Sequence, residues 1–277
     1  MSKSEQQKMY EIGSAILSQS IPHSFETQDY KFRRIIFPHI KANKLHGMQL
    51  GLMKQYYDDK WTNFALVFWE NGDLNNAEQL NFQVMEMRKK LLGAEHPETL
   101  TSMANLASTY RNQGRWNAAE ELEVQVMVMT KKLLGAEHPH TLISIGNLAN
   151  TYQNQGRWNE AEKLEVQVMD MRKKLLGAEH PHTLTSIANL ANTYWKQGRW
   201  NEAEKLFVQV MDMRKKLLGA EHPHTLNIMK NLACTYRDQG KVCEAEKLEL
   251  EVVNISIRLE RICLVTNIQK PSLVWEI

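Results

Sequence analysis

The string LLGAEHP begins at Leu91, Leu133, Leu175 and Leu217, and this constant step of 42 residues limits the fold more than any other feature of the chain. A fixed period between about 20 and 50 residues marks a repeat architecture, in which each unit is covered by its neighbour. The copies are nearly identical: WNEAEKLEVQVMDMRKKLLGAEHPHTL runs from Trp158 to Leu184 and recurs from Trp200 to Leu226 with one change, Glu165 to Phe207.

Each unit reads as two amphipathic helices. In HPETLTSMANLASTYRNQGRW, Pro97 suits the first turn of a helix and Gly114 a left-handed stop, and Leu100, Met103, Leu106, Ala107 and Tyr110 fall between them at helical offsets. After the short GRWN turn, Ala119, Leu122, Val126, Met129 and Leu133 form a second stripe that ends at Gly135. Two helices of roughly 15 residues joined so tightly lie antiparallel, and one such hairpin cannot bury both of its apolar faces. The small pairs Ala107 and Ala119, Ala149 and Ala161, Ala191 and Ala203, Ala233 and Ala245 let the helices approach closely. The expectation is an all-α solenoid of antiparallel helix hairpins.

The pattern NLAxTYxxQGRWNEAEKL resembles the tetratricopeptide repeat, in the longer 42-residue form found in kinesin light chains, with Trp116, Trp158 and Trp200 in place of the usual Tyr. Four clear units run from 91 to about 258. A degenerate unit lies upstream, where Trp61, Phe64, Ala65, Phe68, Gly72 and Ala77 keep the spacing of Met103, Leu106, Ala107, Tyr110, Gly114 and Ala119. The resulting division is 1–48, an N-terminal helical linker; five repeats at 49–90, 91–132, 133–174, 175–216 and 217–258; and an irregular tail, 259–277. The resemblance implies a right-handed superhelix whose inner wall is lined by the first (A) helix of each hairpin. YKFRRIIFPHIKANKL, helical in look but broken by Pro38, resembles the segment joining nucleotide-binding part to repeats in fungal signal-transduction NTPases of the NB-ARC and NACHT type. That would make the chain a sensor array without its switch, because the glycine loop that cradles phosphate is absent.

Composition narrows the partners. Thirty-four basic and 32 acidic residues give a net charge of +2, so no global field argues for nucleic acid or anionic lipid. No stretch approaches the roughly 20 apolar residues of a membrane span. Three cysteines, all late in the chain, fit neither a disulfide framework nor a zinc site. The reading is a cytoplasmic protein with no cofactor and no membrane or nucleic-acid partner.

The recurring EHPH strings (Glu137, His138 and His140; Glu179, His180 and His182; Glu221, His222 and His224) have the chemistry of metal ligands, but each stands just before a helix, where capping a free N–H explains it without an ion. The runs beginning at Arg88, Arg172 and Arg214 complement the carboxyl ends of the second (B) helices, opposite glutamates such as Glu120 and Glu162 in the first turns. The tryptophan series at 116, 158 and 200 reads as packing between hairpins.

Asparagine recurs at Asn63, Asn105, Asn147, Asn189 and Asn231, one residue before a buried Leu or Phe, and again a turn later at Asn150 and Asn192. Carboxamides donate and accept, as a site holding an extended peptide by its backbone requires. The resemblance implies that role for Asn105, Asn147, Asn150, Asn189, Asn192 and Asn231; bonding between adjacent helices is the alternative. Positions that vary between units, Arg111, Gln153, Trp195 and Arg237, would set specificity, with Trp195 as an exposed aromatic anchor. The functional expectation is a non-enzymatic scaffold binding a peptide or protein segment in a concave groove. The alternative is the sensor or oligomerisation portion of a signalling NTPase that lacks its nucleotide-binding domain. Self-association through an exposed apolar C-terminal end is the further expectation.

Overall fold

The computed structural model describes residues 3–21, 27–49 and 59–268, and among these every regular element is an α-helix. In chain order they are α1 (Lys3–Gln19), α2 (Thr27–Gln49), α3 (Asp59–Glu70), α4 (Leu74–Leu92), α5 (Pro97–Asn112), α6 (Trp116–Leu134), α7 (Pro139–Asn154), α8 (Trp158–Leu176), α9 (Pro181–Lys196), α10 (Trp200–Leu218), α11 (Pro223–Asp238) and α12 (Val242–Ile268). They fall into two compact units, 1–155 and 156–277. In the first, α3 pairs with α4 and α5 with α6, while α4 packs on α5 and α6 on α7. In the second, α9 pairs with α10 and α11 with α12, α8 packs on α9, and α10 on α11. The main contacts join consecutive helices, and successive A helices, α5 with α7 and α9 with α11, also touch, as a solenoid of hairpins requires.

Local chemistry sets the helix ends. His96, His138, His180 and His222 each accept the backbone N–H two residues on through Nδ1, at 3.2 Å, directly before the proline that opens the helix. The expected caps are therefore present. His180→Ala is expected to lower stability by about 1 kcal/mol and His180→Asn by much less, read from urea midpoints. At the turn between A and B helices, Gly114 has φ +75°, and nothing lies within 4 Å of where a Cβ would stand. The constraint there is the left-handed backbone rather than space.

The small positions are closed. Ala107, Ala119, Ala149, Ala161, Ala191 and Ala203 are fully buried, and α5 packs on α6.

Four expectations change. The division at each LLG cuts the B helices, since Leu91 and Leu92 end α4, and Leu133 and Leu134 end α6. The stretch expected to be irregular from 259 continues α12 as far as Ile268; residues 269–277 lie outside the described residues. Pro38 sits inside α2 without ending it. Trp116, Trp158 and Trp200 open the B helices and are exposed rather than packed between hairpins.

The N-terminal helices are bonded to the first hairpin. Arg33 meets Glu70 at 2.6 Å with both side chains buried, Lys44 reaches Gln79 at 2.9 Å, and Asn63 donates to Ser18 Oγ at 3.1 Å. Tyr10, Ile21, Ile36 and Ile40 share one core with Trp61, Phe64 and Phe68. The end of the array is thereby covered, which explains why the first repeat is degenerate.

Candidate binding groove

A cavity of about 350 Å³ opens between α5 and α7, floored by α6. Leu100, Ala104, Val126 and Ile143 give it an apolar bed, and Asn105, Arg111 and Asn147 stand at its polar side. The half-buried carboxamides of Asn105 and Asn147 make no hydrogen bond among the described residues. The other asparagines divide. Asn63 is committed to the N-terminal cap, Asn231 donates to Asn192 Oδ1 at 3.2 Å across adjacent A helices, and Asn150 and Asn189 are half-buried. Both readings of the series thus have a physical instance in the molecule.

The variable wall positions are tied to their own hairpins and to the next one along. Arg111 donates to Glu123 Oε1 at 2.9 Å and to the carbonyl of Asn147 at 3.4 Å, and Arg237 donates to Glu249 at 2.6 Å. Trp195, expected as an exposed anchor, is half-buried against the cluster that contains Phe207, and its indole N–H is committed to Asp238 at 2.6 Å. Gln153 is half-buried. The residue twelve positions on is the bonded partner of Arg111 and of Arg237, a Glu in both, and for Trp195 it is Phe207, a member of the cluster on which the indole packs. Glu123 is buried, and burial pushes its carboxyl up to about 7 against the opposing pull of the Thr151 hydroxyl and the Arg111 guanidinium. The homologous Glu165 accepts from Thr193 at 2.6 Å.

Two further sets of residues hold the frame. At the A-to-B turns, Gln113 and Arg115 both bond Glu78 of the preceding hairpin, at 2.8 and 2.7 Å, and Arg115 lies 4.0 Å from the Tyr110 ring centre. Gln197 and Arg199 treat Glu162 and Tyr194 the same way. The QGR string recurs for this reason.

The second set was missed in the sequence. The first arginine of the RKK run turns inward: Arg88 donates to Ser102 Oγ at 2.8 Å and the Glu98 carbonyl at 3.3 Å; Arg172 donates to Ser186 Oγ at 2.8 Å and the His182 carbonyl at 3.2 Å. Arg214 donates to the His224 carbonyl at 3.1 Å and Thr185 Oγ1 at 3.3 Å. Burial alone depresses the basicity of Arg172 and Arg214. The signal was available, since the run reads TKK at Thr130.

Among the described residues no three His, Cys, Asp or Glu side chains gather as a metal site, and no helix is long and apolar enough to cross a membrane.

Tetratricopeptide repeat families match residues 62–98, 99–140, 140–216 and 183–258. The chain belongs to the tetratricopeptide repeat family. Two crystal structures of a Podosopora anserina protein, described as a candidate kinesin light chain with nearly identical TPR-like repeats, are similar to it. One of them, a form with a single Gln-to-Met substitution, is 35% identical with a TM-score of 0.64, and the other is 36% identical with 0.62; each match covers 73% of this chain and 95% of the relative. BtubC (BKLC) from P. vanneervenii shares the fold at 16% identity and a TM-score of 0.63, over 84% of this chain and 91% of its own. No curated protein matches. A tetratricopeptide array is a protein-interaction scaffold.

Proposed function

We propose that the chain is a non-enzymatic scaffold that holds an extended segment of a partner protein in the groove lined by its A helices. The observation that carries this reading is the pair Asn105 and Asn147, two uncommitted carboxamides facing one apolar cavity from neighbouring A helices. An extended backbone needs a donor and an acceptor at intervals, with a place for a side chain between them, and this site supplies both. An Asn105→Ala, Asn147→Ala double variant is expected to bind peptides selected by the parent chain about thirty-fold more weakly, at about 1 kcal/mol per lost hydrogen-bonding group. Peptides held equally by both proteins would remove the asparagines from recognition.

The alternative role, as the sensor portion of an NTPase completed in trans, would engage the N-terminal segment. That segment is already bonded to its own first hairpin through Arg33, Lys44 and Ser18. Self-association is favoured by one feature: Leu250, Val253 and Ile257 are exposed along one face of α12. Light scattering that gives a monomer at every concentration would dispose of it.

A further inference from the structure

In three hairpins the B helix sends an arginine into the space beneath the next A helix, and in one it sends a threonine. Thr130 is the residue that corresponds to Arg88, Arg172 and Arg214, each 42 residues or a multiple of 42 away. Its side chain reaches the serine across that space but is too short to fill it. It bonds the Val126 carbonyl at 2.8 Å and shares a hydrogen bond with Ser144 Oγ at 3.1 Å.

What the arginines bind elsewhere is still present around Thr130. Ser144 stands where Ser102 and Ser186 accept from Arg88 and Arg172, and His140 stands where Glu98, His182 and His224 lend their carbonyls. Thr101 corresponds to Thr185, which accepts from Arg214. Thr101, His140, Ser144 and Thr130 itself all line the 350 Å³ cavity. The apolar part of the wall, which includes Leu100, Ala104 and Val126, is the kind of surface along which an arginine lays its methylenes.

We propose that this cavity is a vacated arginine seat, and that the segment bound in the groove places an arginine side chain in it. The guanidinium would donate to the Ser144 and Thr101 hydroxyls and the His140 carbonyl, repeating what Arg88, Arg172 and Arg214 do within the chain. A hydroxyl or carbonyl oxygen accepts a second hydrogen bond without giving up its first. Arg111, also on the cavity wall, does not repel the newcomer with an unpaired charge above about pH 7, where Glu123, 2.9 Å from it, is ionised. A lysine would fill the stem but offer no planar fork to three acceptors.

The inference rests on the groove reading above, and the two fail separately. With the full chain, NMR titration with ethylguanidinium is expected to shift the Thr130, Ser144 and Thr101 amides saturably, and ethylammonium to shift them at least tenfold more weakly. Thr130→Arg, which supplies the residue the other hairpins carry, is expected to fold and to abolish the response. Arg214→Thr is expected to open a second guanidinium site, with shifts at Thr185 and His224, and keeps the test alive if the first variant misfolds. In a random peptide selection, arginine is expected to be enriched by the parent chain, and that enrichment lost in Thr130→Arg. No saturable shift at these amides, or a response that Thr130→Arg leaves intact, overturns the seat. Peptides captured without arginine enrichment overturn it too, while leaving the groove reading standing. A guanidinium response without any captured peptide keeps the seat and defeats the groove reading.

Discussion

Phe207→Glu is expected to destabilise the second unit by about 4 kcal/mol, and Trp195→Arg in the same chain to recover more than half of the loss. The substitution is an unusual one, because it installs the residue that the preceding repeat carries at the same place. Phe207 is fully buried and belongs to a cluster with Leu184, Ile187, Val210 and Ile228, against which Trp195 packs. A carboxylate there would lie in apolar surroundings without a cation, and a buried charge left unpaired costs about 3–5 kcal/mol. Trp195→Arg supplies the guanidinium in the arrangement that Arg111 has with Glu123, where the two groups lie 2.9 Å apart. The double-mutant cycle in urea is the measurement, and coupling of 0.5–3 kcal/mol is about the range expected for side chains in contact. If the two changes simply add, positions 195 and 207 are independent, and reading the variable wall as matched pairs is wrong.

That pairing marks the limit of what the sequence makes legible. The period, the hairpin and its small closing residues follow from spacing along one helix, and the helix starts follow from His and Pro standing side by side; all of these are local. The relation between residue 195 and residue 207 is not local, because it depends on how two antiparallel helices are rotated toward each other. Even so, Glu165 to Phe207, the lone change in a copied string, accompanies Gln153 to Trp195 twelve residues earlier. The same two units also differ at Ile143 and Thr185, Gly146 and Ala188, and Asn154 and Lys196, so the coincidence alone does not single out the pair; the shared cluster does.

The candidate site was legible in part. Asn105, Asn147 and Arg111 do meet at one cavity. The series that suggested them does not have one role throughout, because identical side chains meet different neighbours: Asn63 finds a serine of the capping helix, and Asn231 finds Asn192. Thr130 escaped notice for the opposite reason. The reading of the basic runs as partners of the helix dipole treats every cation alike, and so attaches no meaning to a run that has lost its first member. Only the inward turn of Arg88, Arg172 and Arg214 distinguishes that member from the lysines after it.

The contribution of Glu123 to stability is expected to fall as pH rises from about 4.5 to about 7, and Glu123→Gln to remove that component. Glu123 has an ordinary value of 4.5, raised to about 7 in the folded chain chiefly by burial. The folded state therefore holds the proton more tightly than the unfolded state does. The stabilisation that follows is complete below about 4.5 and is lost as pH rises through 7, amounting to about 3 kcal/mol by linkage. Other carboxylates act in the opposite sense: Gln113 and Arg115 hold Glu78 low against the effect of burial, and Lys241 and Gln239 do the same for Glu204, so those groups lose stability as pH falls. A raw profile of the parent chain mixes both. The difference between parent and Glu123→Gln isolates the one residue, since glutamine keeps the shape and a carbonyl acceptor for Arg111 without a titrating proton. Measured by urea unfolding, that difference is expected to favour the parent at pH 5 relative to pH 8. A difference that stays constant with pH would mean that Glu123 remains a carboxylate throughout, held by Arg111 more strongly than burial opposes it. In that case the wall of the cavity would carry a permanent ion pair, where the geometry and burial together give one that weakens on the acid side of neutrality.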